Sequence, residues 1–296
     1  MTPLFSRMTV LGLGLLGGSV AAAARERGLV GTVVGSARRR GPLEAALRAG
    51  VVDEVAEVSS AARGADLVVL ATPVSSMAGV LEMVAPSLAE GALVTDVGSV
   101  KGILVDTLPG LLPPGVRYIG SHPMAGSHLR GVEYSRADLF EGACCVVTPL
   151  PESRDRDLER LSAFWRGLGA RVVERDPLAH DEQVAWVSHV PHALAFAFAH
   201  ALSKAPSEIG ELAGTGFSDF TRIAGSDAEL WGDILSANAK CLTGPLEAFG
   251  QALSKLARAI EEGEVESQEQ FMASAREQLA AVAARRAETP GSVQTK

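Results

Sequence analysis

From Met8 to about Glu174 the chain repeats one alternation: a short run of apolar, often β-branched residues, then a stretch whose apolar positions recur at helical spacing. The runs are "MTVLGLG", "GTVVGS", "ADLVVLATP", "ALVTDVGS", "VRYIGSHP", "ACCVVTP" and "ARVVER". Several are continuously apolar, as strands covered by helices on both faces are, and the pattern predicts stacked βαβ units and a mostly parallel sheet. The period changes after Asp176-Pro177. From Leu178 to about Arg286 it is helical throughout, rich in Ala, Leu, Glu and Gln, with no strand signal. The expected organisation is therefore an α/β domain over 1–176 and an all-α helical domain over 177–296. The last stretch, "AETPGSVQTK", is dominated by turn formers and is expected to fray.

Composition narrows the class of protein. Over 296 residues, 47% are hydrophobic and 21% charged, the balance of a chain that buries a real core. A formal net charge of −8 argues against a nucleic-acid partner, because displacing counterions from phosphates needs a positive face. The longest apolar run, Val184 to Ala201, is interrupted by His189, Pro191, His192 and His200. With no signal-peptide pattern at the start, no membrane association and a cytoplasmic location are expected. Cys144 and Cys145 are adjacent and point to opposite strand faces, leaving Cys241 as the other thiol, so a disulfide framework is excluded.

The first strand runs into "VLGLGLLGGSVA", which sets Gly12, Gly14 and Gly17 in G-x-G-x-x-G spacing, with Leu15 and Leu16 opening the helix that follows. The first glycine permits the tight turn, the second lets a pyrophosphate approach the backbone, and the third lets helix pack on strand. This strand-turn-helix context reads as the dinucleotide site of a Rossmann-type doubly wound sheet rather than a plain turn. An NAD site usually offers an Asp or Glu about 20 residues further on. This chain instead reads "VVGSARRRGP", with Ser36, Arg38, Arg39 and Arg40. Guanidinium groups suit a 2′-phosphate, so NADP is favoured over NAD; a solvated basic turn is the plainer alternative.

The third and fourth strands close with "LATPVSS" and "TDVGSVKG", placing Thr72, Pro73, Ser99 and Lys101 at carboxyl ends, where open α/β sheets bind ligands. "SHPMAGSHLRG" follows the fifth strand, and its first histidine, His122, is expected to face the nicotinamide with a pKa suited to taking a proton. A satisfied turn residue is the other reading of His122. In the helical half, "HDEQVAWVSHVPHALAFAFAH" puts His189 and His192 at i, i+3, with His180, Asp181 and Glu182 one stretch earlier. Metal ligation ranks below substrate binding here, since no cysteine lies near and HExxH spacing is absent. Core imidazoles satisfied by backbone remain open on spacing alone. "GTGFSDFTRIAGSDAELWGDI" embeds Arg222 between glycine-bearing turns, a placement suited to clamping a carboxylate, with Trp231 nine residues on.

In this order, the islands "GLGLLGGS", "DVGSVK", "SHPMAGS", "SHVPHALA" and "GFSDFTRIAGSDAELW" resemble the prephenate and arogenate (cyclohexadienyl) dehydrogenase family of tyrosine biosynthesis, from about Met8 to about Ala283. The resemblance implies NAD(P)-dependent oxidative decarboxylation of prephenate to 4-hydroxyphenylpyruvate, with arogenate or dual specificity as the alternative. It implies that His122 takes the proton of the ring hydroxyl and that Ser99 holds hydroxyl and nicotinamide in register. Arg222 would bind a substrate carboxylate; His192, His189, Ser127 and Trp231 would line the same pocket, and the helical domain would form a homodimer. Ser218, and Ser127-His128 in place of the Thr-Glu common in relatives, depart from the family pattern. With no separate regulatory segment expected, tyrosine, where it regulates, would compete in the active site. Two other classes fit the chain less well. A β-hydroxyacid-type dehydrogenase would use a helical-domain lysine, but Lys204, Lys240 and Lys255 lie outside the histidine and arginine islands. A non-catalytic NAD(P) sensor would have no need of His122, Ser99 and Arg222 together.

Overall fold

The structure is a computed structural model and describes residues 2–126 and 129–287. Two compact units divide the chain, Met1–Ala239 and Lys240–Lys296. This division falls inside the helical half, beyond the change of period at Asp176-Pro177.

The first unit is built on a six-stranded parallel sheet. Its strands are β1 (Phe5–Leu11), β2 (Val30–Ser36), β3 (Glu54–Val55), β4 (Leu67–Leu70), β5 (Leu93–Asp96) and β6 (Arg117–Tyr118), in the spatial order β3-β2-β1-β4-β5-β6. The order reverses between β1 and β4, where a doubly wound sheet leaves a crevice at its carboxyl edge. Helices α1 (Leu15–Glu26), α2 (Arg40–Arg48), α3 (Val74–Val84) and α4 (Gly102–Thr107) make the crossovers. β4 and β5 are buried at every residue; the unbroken apolar run of β4 required this, while β5 also buries Thr95 and Asp96. β3 was not predicted: it is two exposed residues held by the register Val34 with Glu54 and Gly35 with Val55, too short for a periodic signal.

The run "VRYIGSHP" is not one strand. It breaks at buried Ile119: β6 extends the parallel sheet, while β7 (Gly120–Pro123) leaves it to pair antiparallel with β8 (Cys144–Thr148). β9 (Arg171–Glu174) adds parallel to β8, giving a separate three-stranded sheet. His122 therefore stands within a strand of the second sheet, paired with Val146, and not in a loop after the fifth strand of the first. Helix α5 (Asp155–Gly167) opens with Asp155 and Asp157 where the helix dipole favours acids, and buries Leu161, Phe164 and Trp165. Phe164 meets Phe5 and Trp165 edge to face, joining α5 to β1 in the main core.

From Asp176 the backbone is helical among the described residues. Helix α6 (Pro177–Val184) passes through a π-helical segment, residues 185–189, into α7 (Val190–Ala201), followed by α8 (Thr215–Thr221) and α9 (Ala228–Ala237). The second unit consists chiefly of α10 (Ala239–Glu261) and α11 (Val265–Ala287), joined through Gly263 at φ 68°. No described helix is long and apolar enough to cross a membrane.

Phe164→Ala is expected to lower the unfolding free energy by about 3–5 kcal/mol, the usual cost of emptying an aromatic site. Urea denaturation followed by tryptophan fluorescence reads this; a loss below about 1 kcal/mol would show that the β1–α5 core can collapse around the gap.

Candidate active site

The glycine turn has the shape its spacing calls for. Gly12 adopts φ 108°, and a Cβ there would stand 2.5 Å from the Ala71 carbonyl oxygen; one on Gly17 would stand 1.9 Å from the Gly12 carbonyl oxygen. Gly14, by contrast, faces open space, and no side chain caps the start of α1. The N–H groups of the first helical turn are thus left for an anionic ligand. Two buried hydroxyls near this turn, Ser36 Oγ and Thr72 Oγ1, have no hydrogen-bond partner. A close-packed turn, an open glycine, free helix N–H groups and orphaned hydroxyls fit a dinucleotide. Leu15 and Leu16 are half-buried at the start of α1, and Pro73 is exposed at the start of α3. Arg38 and Arg39 are exposed just beyond β2, with no ion pair among the described residues.

At the end of β5 a buried polar knot fixes the neighbouring strands. Asp96 and Lys101 form an ion pair with both side chains fully buried. Lys101 Nζ also donates to the Ser121 carbonyl at 2.8 Å, and Tyr118 Oη donates to Asp96 Oδ2 at 2.6 Å. Gly98 N–H donates to Asp96 Oδ1 at 2.6 Å. The Ser121 hydroxyl donates to the Asp96 carbonyl at 2.5 Å. A buried charge left unpaired is costly, so these bonds pin the "DVGSVK" turn to the strand carrying His122. Ser99, half-buried in that turn, has no side-chain hydrogen bond among the described residues.

The helical segment reaches the same place. Asp176 caps α6, its carboxylate accepting from Leu178 N at 2.9 Å and Ala179 N at 3.1 Å, with Pro177 in the first turn. The cap sets His180 and Asp181 one turn in, where both are buried. Asp181 then caps α4, accepting from Lys101 N at 2.8 Å and Gly102 N at 2.7 Å. His180 Nδ1 lies 2.8 Å from Asp181 Oδ1, and His180 Nε2 lies 2.9 Å from His122 Nδ1. Burial first, then the His180, Lys101 and His189 charges, push the His122 pKa well below 6.5.

Pro191 lacks the N–H that would continue the helical ladder, and the π segment just before it carries the extra residue of a wider turn. This break orients two more imidazoles around one indole: His192 stacks on Trp231 at 3.6 Å and His189 meets it edge-on at 6.0 Å. Asn238 Nδ2 lies 2.9 Å from His189 Nδ1 and donates to the Asp181 carbonyl at 2.9 Å. His189 Nε2 is buried without a hydrogen-bond partner among the described residues, and burial lowers the His189 pKa to about 4. Burial also lowers the His192 pKa, opposed by its bond to the Ser188 carbonyl, with the Arg222 charge a further depressing influence. Arg222 is exposed at the start of a short 3₁₀ turn, near enough for its charge to act on His192. Ser127 lies outside the described residues. Sequence reasoning grouped His189, His192, Arg222 and Trp231; it left Asp96, Lys101, His180, Asp181 and Asn238 without roles, although the run "HDE" and the buried lysine of "DVGSVK" were the available signals.

Residues 20–174 match the family described as "Prephenate dehydrogenase, nucleotide-binding domain", and residues 176–274 "Prephenate dehydrogenase, dimerization domain". The prephenate dehydrogenase of Bacillus subtilis is 32% identical over 282 residues, covering 94% of this chain and 76% of the relative. The cyclohexadienyl dehydrogenase of Zymomonas mobilis is 31% identical over 261 residues, covering 86% and 89%. The crystal structure of prephenate dehydrogenase from A. aeolicus, in complex with hydroxyphenyl propionate and NAD+, superposes with TM-score 0.85 at 31% identity, covering 94% of this chain and 98% of that one. With both halves matched in order and whole-length relatives above the level at which fold alone is shared, the chain belongs to the prephenate dehydrogenase family of oxidoreductases.

Proposed function

We propose that the protein catalyses the oxidative decarboxylation of prephenate to 4-hydroxyphenylpyruvate, and that His122 is its base. The observation that carries this reading is a buried imidazole held neutral on the strand pinned to the "DVGSVK" turn, in a chain of this family. A bound nicotinamide dinucleotide supplies the hydride acceptor. The chain does the rest. His122 Nε2, the ring nitrogen not engaged by His180, accepts the proton of the ring hydroxyl as the ring C–H bond breaks, and returns it to the phenolic oxygen after carbon dioxide has left. Ser99, free of other bonds, holds that hydroxyl in line.

The remaining residues bind the acid groups and exclude water. Because Asn238 Nδ2 donates to His189 Nδ1, the proton of neutral His189 sits on Nε2, a buried donor awaiting a substrate oxygen. The Arg222 guanidinium clamps a carboxylate, and Trp231 with His192 forms the apolar wall. Ser36, Arg38 and Arg39 support a preference for NADP, since no carboxylate follows β2 to take the ribose hydroxyls. An apolar row on α10, Leu246, Phe249, Leu253 and Ile260, is 38–58% exposed and supports a homodimer formed through the matched dimerization domain.

A second substrate has one observation in its favour. His192 Nδ1 donates to the Ser188 carbonyl at 2.9 Å, so neutral Nε2 is an acceptor. An acceptor suits the side-chain ammonium of arogenate better than the keto acid of prephenate.

His122→Asn is expected to lower kcat by about 10²–10⁴-fold with little change in KM, while Arg222→Ala chiefly raises KM. Steady-state kinetics with prephenate check both; equal, mild effects on both parameters in both variants would remove these roles. Arg38→Ala combined with Arg39→Ala should weaken NADP binding far more than NAD binding in a fluorescence titration. Unchanged NADP affinity would leave the arginines a solvated turn.

A further inference from the structure

We infer that His180 and Asp181 are positioning residues that set the tautomer of His122, fixing Nε2 as its basic atom and sharing the proton it takes up. The inference deepens the proposed reaction and rests on His122 being its base.

The direction of each bond follows from one end of the chain. Asp181 already accepts two backbone N–H groups, from Lys101 and Gly102, so its carboxylate is the acceptor toward His180 as well. His180 Nδ1 therefore carries a proton. With both rings neutral, His180 Nε2 is then a lone pair, and the 2.9 Å contact requires His122 Nδ1 to be the donor. That places the lone pair of His122 on Nε2, the nitrogen with no hydrogen bond to His180 or any other group among the described residues. The rings meet edge to face, 5.1 Å between centroids at 73°, so the bond lies along a ring edge rather than across a stack. Asp181 itself cannot rotate away, because turning it would strand the two N–H groups at the start of α4.

Proton balance runs along the same line. When Nε2 of His122 accepts the substrate proton, the Nδ1 proton can move to His180 Nε2. The positive charge then rests on His180, bonded to the Asp181 carboxylate. The return of the proton to the phenolic oxygen reverses both transfers, and nothing is gained or lost. The titratable groups around the pair come from every neighbouring element: Asp96 at the end of β5, Lys101 at the start of α4, Cys145 on β8, His189 in the π segment and Asp181 on α6. Of these, Asp181 alone bonds to the pair as an anion. A proton taken from solvent likewise leaves His122 Nδ1 accepting and its Nε2 protonated, which blocks the base. Activity is therefore lost as pH falls and the pair takes up a proton, an uptake that the Asp181 carboxylate bonded to the pair favours.

The test uses the full chain. In ¹⁵N NMR of the substrate-free protein above the imidazole titration range, His122 should show a protonated Nδ1 and a bare Nε2. His180→Gln keeps an amide oxygen to accept from His122 and an amide N–H for Asp181, so it should preserve that tautomer; His180→Leu should give a mixture. In kinetics with prephenate, Asp181→Asn should lower kcat by about 10²–10⁴-fold with KM little changed. It should also shift the acid limb of kcat/KM to lower pH. His180→Gln should retain more kcat than His180→Leu. Should Asp181→Asn fail to fold, the two His180 variants, which leave the α4 cap in place, carry the test. A bare Nδ1 on His122 in the unaltered protein, or an unmoved acid limb together with equal kcat in the His180 variants, would overturn the inference. The tautomer is read without substrate, so failure of the proposed reaction leaves it standing or falling independently.

Discussion

The buried pair of Asp96 and Lys101 is the constraint around which the site is built. Neither charge reaches solvent, and removing one partner of such a pair costs about 3–5 kcal/mol because the other is stranded. The lysine is held by the Ser121 carbonyl and the aspartate by Tyr118 and Gly98, so satisfying one charge fixes both the end of β5 and the start of β7. Two sheets that share no ladder are thereby locked at the residue preceding His122. The backbone of the same lysine binds Asp181, which brings the first helix after Asp176 to the same point. A polar network this dry holds only when every member is paired, and pairing leaves the surrounding geometry little freedom.

The chemistry follows from where that freedom ends. Asp181 is committed to α4, His180 to Asp181 and His122 to His180, so one imidazole nitrogen alone is left for a ligand. On the other side of the site, His189 is turned by Asn238 until it offers an unpaired N–H, and His192 lies flat on Trp231. Three histidines thus present different faces of the same ring chemistry because each has its other nitrogen already occupied or its pKa depressed by burial. The exposed Arg222 is the cation able to meet a carboxylate without first breaking a bond among the described residues.

Much of this was legible in the chain. Short, largely apolar and β-branched runs marked the strands β1, β2, β4 and β5, and the glycine spacing marked the turn at Gly12, because both depend on local sterics and covering helices. What escaped was set by distant pairing. "VRYIGSHP" reads as one strand, yet a single buried residue, Ile119, passes the chain from one sheet to another; only the partner strand β8 decides that. Likewise His180 and Asp181 look like part of a polar helix start. Their meaning comes from residues 58 and 80 positions away, a separation no local pattern carries. The division of the molecule after Ala239 was also invisible, since α10 continues the helical period without a break in composition.

The central claim is that this site oxidises a cyclohexadienyl acid at the expense of a nicotinamide dinucleotide. Purified protein given prephenate or arogenate with NADP or NAD, in every pairing and followed by reduced-cofactor absorbance, tests it most directly. Turnover is expected with prephenate, faster with NADP than with NAD. Cofactor binding without turnover in any pairing would contradict it.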